Sequence, residues 1–148
     1  MRRSKFFLGG EDVKSLKACQ AMESNVRYCV PHSLWSELVS FMVNGGYSSL
    51  PVIDSHRKIV GMVTESSLLK IFVDGRDKTK VKAEDIMSTN PKTLNENTPF
   101  LEIVKVLDEN HLIRVPVVND DNQFVGMLTR RDILYCYNQA AHEGIKSV

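Results

Sequence analysis

The chain has little of what marks the specialised protein classes. Among its 148 residues no apolar stretch approaches the run of about 18 that a membrane span needs, so no transmembrane segment is expected. Three cysteines, Cys19, Cys29 and Cys136, form an odd set with no C-x-x-C spacing, which argues against a disulfide framework and a zinc site and fits a reducing cytoplasm. The histidines, His32, His56, His111 and His142, are dispersed without metal-ligand spacing, and no metal is expected. No Ser/His/Asp or Cys/His grouping and no Gly-x-x-x-x-Gly-Lys loop can be assembled, so the chain reads as a non-enzyme without catalytic residues. Neither sign of charge dominates: the net charge is +1. Residues 1–20 carry five Lys/Arg against two acids, but without aromatic interleaving or a recognition-helix pattern they read as a solvated tail rather than a nucleic-acid site. The Phe6-Phe7-Leu8 stretch falls short of the about 7 apolar residues of a signal-peptide core.

What the chain does contain is itself, twice. Residues 86–137 slide onto 21–72 at a shift of 65 with no gap, and 11 of the 52 paired positions are identical; chance predicts roughly 3. Leu50-Pro51-Val52-Ile53 falls on Val115-Pro116-Val117-Val118, and Val60-Gly61-Met62-Val63-Thr64 on Val125-Gly126-Met127-Leu128-Thr129. Each copy is too short to bury much surface alone, which predicts that the two share one core.

Each copy reads β-α-β-β-α. A short extended segment, around Arg27–Val30 or Lys92–Leu94, precedes an amphipathic helix. Ser33 and Thr98 are the expected N-caps, Pro99 the first helical residue, and Trp35, Leu38, Val39 and Met42, or Phe100, Ile103, Val104 and Leu107, the apolar stripes. Two nearly all-apolar strands joined by five polar residues form a hairpin covered on both faces, and a second helix starting at Thr64 or Thr129 closes the unit. The expected organisation is a tail or lead-in helix over 1–20 (helical signal at Val13–Met22), repeat one over 21–72, an exposed linker over 73–85, repeat two over 86–137 and a tail over 138–148.

This tandem order, with Gly-Met-Val/Leu-Thr closing both hairpins, resembles the cystathionine-β-synthase (CBS) domain pair, or Bateman module, across residues 21–137. The resemblance implies an α/β (α+β) module of two β-α-β-β-α repeats packed about a pseudo-twofold axis. It also implies homodimers, and clefts that take AMP, ADP, ATP or S-adenosylmethionine. The family's Gly-x-x-Thr/Ser-x-x-Asp ligand run is complete only in Gly126–Asp132.

The residues give that run a physical reason. A strand entering a helix at Thr129 leaves free amides and the positive dipole end for a phosphate, Thr129 can donate its hydroxyl, and the Asp132 carboxylate can accept both ribose hydroxyls. Arg131 and Arg114 offer guanidinium forks to phosphate, a role the resemblance also implies for both. Val115, Pro116, Thr93 and Met127 are candidates to line the purine. The same Thr129-x-x-Asp132 spacing is a helix-capping box, and a carboxylate turned back to cap its helix is compatible with holding a ribose only in part.

Copy one departs where chemistry needs it most. Ser67 replaces the Asp, Ser49 stands where Arg114 stands, and Glu65 would repel phosphate, so Thr64, Ser66, Ser67 and Ser49 form a weaker second site. The expected function is a stand-alone regulatory module that senses an adenosine-containing ligand, requires no cofactor and signals to a partner protein. The alternative is a ligand-free scaffold of the same fold.

Overall fold

The computed structural model describes residues 13–143; most of the basic tail and the last five residues lie outside it. In chain order the elements are a 3-10 turn (Val13–Ser15), α1 (Ala18–Ala21), α2 (Trp35–Gly45), β1 (Ser49–Ile53), β2 (Ile59–Thr64), α3 (Glu65–Asp74), α4 (Ala83–Ile86), β3 (Ser88–Thr89), β4 (Leu94–Asn95), α5 (Phe100–Glu109), β5 (Arg114–Val118), β6 (Phe124–Thr129) and α6 (Arg130–Glu143). They divide into two compact units: Arg27–Pro91, and the segment up to Val26 together with Lys92 onward.

In the first unit the hairpin β1–β2 pairs Ser49 with Thr64 and Pro51 with Met62, with a bulge at Val52/Ile53, and β3 extends the sheet antiparallel along β2. Cys29 takes a parallel bridge on the other side, donating to the Pro51 carbonyl and accepting from Ile53. The second unit repeats this register at a shift of 65: Arg114 pairs with Thr129, Pro116 with Met127, the bulge falls at Val117/Val118, and β4 runs parallel to β5. The place of β3 is taken by Glu23, whose amide and carbonyl both bond to Met127 at 2.9 Å. Each unit is thus finished by chain from outside its own repeat. The lead-in over 13–22 forms a 3-10 turn and one helical turn rather than a continuous helix.

The two glycines shared by the repeats follow from this edge pairing. A Cβ on Gly126 would sit 2.7 Å from the Glu23 carbonyl and 2.6 Å from Met22 Sδ; one on Gly61 would sit 2.6 Å from the Ser88 carbonyl and 2.5 Å from Met87 Sδ. The edge segment can approach the sheet only where no side chain stands.

Buried apolar residues form two clusters rather than one shared core. Leu38, Leu50, Val52, Val63 and Leu68 centre the first, and Leu16, Ile103, Val115, Val117 and Leu128 the second, to which the lead-in adds Ala18 and Ala21. Both expected N-caps are displaced by one residue. Leu34 and Pro99 occupy those positions; Glu37 accepts from the Leu34 amide at 2.8 Å, and the Phe100 amide is satisfied by the Leu16 carbonyl at 2.9 Å. Ser33 instead accepts from the Val30 amide, stabilising the turn before α2. The connector is not wholly exposed: Val81 and Ala83 are buried, and the Ala83 amide donates to the Ser33 carbonyl.

Candidate functional site

The β6–α6 junction is built by strand register and helix capping together. Arg114 faces Thr129 across the hairpin and Pro116 faces Met127, so these four residues share one side of the sheet. Val115 points to the other side, fully buried in the apolar cluster with Leu128, and presents no side chain to a purine. Thr93 immediately precedes β4, whose Leu94 pairs with Val117.

At the head of α6 the capping box is closed. The Asp132 amide donates to Thr129 Oγ1 at 3.1 Å, and the Thr129 amide donates to Asp132 Oδ2 at 2.9 Å, with Asp132 only 2% exposed. The Arg130 amide is also taken, by the Ile113 carbonyl at 2.9 Å. Two first-turn amides that the sequence left free for a phosphate are therefore engaged, because the hairpin and the Thr129 hydroxyl reach them first. An ionised carboxylate has about four acceptor positions, and the Thr129 amide is one of the groups that Asp132 serves.

Arg131 stands in the first turn of α6. It lines a broad groove of about 810 Å³ with Ile113, Arg130, Leu134, Tyr135 and Tyr137, and Arg130 is anchored there by its Nε donating to the Leu112 carbonyl at 2.6 Å. Register and capping group Arg114 with Thr129, Asp132, Pro116 and Met127, and Arg131 lines the groove that begins at the same helix start.

The equivalent junction in the first unit carries the same box in neutral form. The Ser67 amide donates to Thr64 Oγ1 at 3.2 Å, the Thr64 amide to Ser67 Oγ at 3.3 Å, and the two hydroxyls lie 3.0 Å apart. Ser49 Oγ, opposite Thr64, is buried and has no hydrogen-bond partner among the described residues. Ser66 and Ser67 border a cavity of about 300 Å³ with Lys70, Asp74, Arg76 and Asp85. Sequence reasoning missed those four charges because they come from α3 and from the connector, whose return to α3 no local motif announces. It also missed Glu23 beside Met127. The alignment of Met22-Glu23 on Met87-Ser88 was the available signal, but not which sheet the segment joins.

Against known proteins, the CBS-domain family model matches residues 13–74 and again 83–138. The chain belongs to the CBS-domain family. The structural match to the CBS-pair protein CBSX2 from Arabidopsis thaliana has a TM-score of 0.77 at 21% identity, covering 86% of this CBS pair and 98% of that chain. A structure of CBSX2 in complex with AMP matches with a TM-score of 0.74 at 24% identity, covering 84% and 98%. Inosine-5'-monophosphate dehydrogenase of Methanocaldococcus jannaschii is 32% identical over 129 residues, which is 86% of this chain and 25% of that enzyme. The CBS pair spans half or less of the length of the curated relatives it matches first. No helix among the described residues is long and apolar enough to cross a membrane. The two family matches follow the sequence, whereas the compact units divide at Val26 and Pro91, so each match draws its first residues from the other unit's fold.

Proposed function

We propose that this CBS pair is a regulatory, non-catalytic module of a reducing compartment that binds an adenosine-containing ligand at its second repeat and passes the ligand state to a partner protein, itself assembling as a homodimer. The observation that carries this reading is the register pair Arg114–Thr129 beside Asp132: at this strand–helix junction a guanidinium and a carboxylate flank the threonine hydroxyl, whereas the first repeat keeps the hydroxyl and has serines in place of both charges. Phosphate would meet Arg114 and the Thr129 hydroxyl, ribose the Asp132 carboxylate, and the purine the side chains of Pro116 and Met127. Arg131, in the first turn of α6, offers the phosphate a second guanidinium. The AMP complex of CBSX2 supports the ligand class. Ligand would act by favouring the conformation to which it binds more tightly.

One observation favours the alternative, a scaffold that binds no nucleotide: Asp132 is almost fully buried and already caps its helix. The substitution Asp132→Ser separates the two, because it installs the neutral box of the first repeat. A thermal-shift series with AMP, ADP, ATP, S-adenosylmethionine and NADH is the test. A ligand at 100 times its dissociation constant stabilises by about 2.7 kcal/mol. The nucleotide reading expects a shift that Asp132→Ser abolishes without lowering the ligand-free melting temperature; no shift with any compound establishes the scaffold.

A further inference from the structure

We propose that Glu23 is the base-selecting residue of the second-repeat site, its carboxylate accepting from the 6-amino group of adenine and rejecting a purine that carries an oxygen there. The proposal rests on the nucleotide reading above and adds which chemical group tells one base from another.

Glu23 reaches the site along the edge of β6. Its amide and carbonyl both bond to Met127 at 2.9 Å, so the two residues are directly paired and their side chains stand on the same side of the sheet. Met22, one residue earlier, turns to the opposite side, where its sulfur lies over Gly126 and its side chain packs on the second apolar cluster. Pro116 faces Met127 from β5, so Pro116, Met127 and Glu23 form one row across the sheet, and Arg114 and Thr129 belong to the next. Arg114 and Glu23 therefore occupy opposite corners of this face, about 12 Å apart at ordinary strand spacing. That span suits a nucleoside monophosphate laid diagonally, with its phosphate at the guanidinium, its base on Pro116 and Met127, and the far edge of the base at the carboxylate.

With its backbone amide and carbonyl engaged by Met127, residue 23 offers the base its side chain. An ionised carboxylate only accepts. The amino group of adenine donates to it, whereas the 6-oxygen of hypoxanthine in the same place sets two acceptors against each other. Glu23 Oε1 is shielded from water, which makes such a mismatch costly.

The first unit has a serine in this place. Ser88 pairs with Met62 as Glu23 pairs with Met127, and its hydroxyl donates to the Met62 carbonyl at 3.4 Å. The exchange Ser88/Glu23 thus joins Ser49/Arg114 and Ser67/Asp132: three serines around one hairpin are three charged groups around the other. Chance scatter would not confine charge to one copy at each of the positions that meet phosphate, ribose and base.

The test is isothermal titration calorimetry of AMP, IMP and GMP on the full chain as wild type, Glu23→Gln and Glu23→Ser, with circular dichroism to establish folding. The wild type is expected to bind AMP about tenfold more tightly than IMP or better, the worth of one hydrogen bond to a charged group. Both variants should bring the two nucleotides to within about threefold, Glu23→Gln by tightening IMP, since its amide can donate to the 6-oxygen, and Glu23→Ser by weakening AMP. Either variant decides alone should the other fail to fold. Equal affinities in the wild type, or a preference that survives both substitutions, overturns the role of Glu23 and leaves the nucleotide site standing. So does a wild type that prefers GMP, because guanine would then be meeting the carboxylate with its N1 and 2-amino hydrogens. A wild type that binds none of the three overturns the nucleotide reading and the role of Glu23 together.

Discussion

The two repeats of this CBS pair share a backbone plan and divide their chemistry. Hairpin register, bulge, edge approach and capping box coincide at every equivalent position, from Ser49–Thr64 and Arg114–Thr129 to Gly61 and Gly126. The residues retained in both are those the backbone requires: a glycine where an edge strand presses in, a threonine whose hydroxyl ends a strand and begins a helix. Elsewhere one copy substitutes freely for the other. Cys29 fills the place of Leu94 and Cys136 that of Ile71, each thiol buried like the aliphatic it replaces. Burial pushes the Cys29 thiol up to about 12, so it behaves as a small apolar filler. Gly46 and His111 both hold a positive φ after the repeat's first helix, at 71° and 52°. The comparison teaches that identity between the copies reports folding, and that Ser49/Arg114, Ser67/Asp132 and Ser88/Glu23 are where binding is to be tested.

The largest effect should come from breaking the exchange of lead-in segments. Leu16, 1% exposed, lies in the second unit's cluster, so Leu16→Ala should destabilise that unit by about 2–5 kcal/mol. Denaturation followed by circular dichroism should then show an early phase that is missing from the fluorescence of Trp35, which reports the first unit. Next come the shared glycines: Gly126→Ala and Gly61→Ala should each cost about 1–3 kcal/mol, since the new methyl meets a backbone carbonyl that cannot rotate away. Urea midpoints that fall for one and not the other would break the symmetry of the edge strands. Removing the capping hydroxyls, by Thr64→Ala and Thr129→Ala, should cost about 1 kcal/mol apiece, read in the same titration.

The smallest effect sharpens the comparison at the hairpin turns. Asp54 accepts from the Lys58 and His56 amides, whereas its counterpart Asn119 accepts from Gln123 and Asp121 without a charge. The backbone amide of Lys58, then that of His56, holds the Asp54 carboxyl below its ordinary value. A carboxyl whose folded pKa is depressed contributes stability that is present above the unfolded value of about 3.9 and is lost as pH falls through the folded pKa. Amide exchange at His56 and Lys58 should therefore lose protection on acidification below about pH 4, while the amides of Asp121 and Gln123 should keep theirs, and Asp54→Asn should abolish the difference.

Much of the architecture was legible because it rests on local signals. Runs of apolar residues and helical apolar spacing located the hairpins and the four long helices, and Thr64 and Thr129 act where helix starts were read. The one-residue errors at Ser33 and Thr98 arose because a tertiary bond, such as Leu16 to Phe100, can replace a side-chain cap. The partition of the core could not be read at all. Whether Met22-Glu23 lies against β6 or β2 depends on long-range pairing that its own two residues do not encode. At the site, residue types were readable and orientation was not: Val115 and Pro116 are neighbours in sequence but face opposite sides of the sheet.

The borrowed edges also impose an order in time. A ribosome releases residues 13–26 first, but the sheet they complete ends at Thr129, more than a hundred residues later. At about 5–20 residues per second, that segment waits on the order of ten seconds without its partner, while Arg27–Pro91 is already whole and free to fold. Of the two units, the one whose chain begins earlier is the one that is completed later.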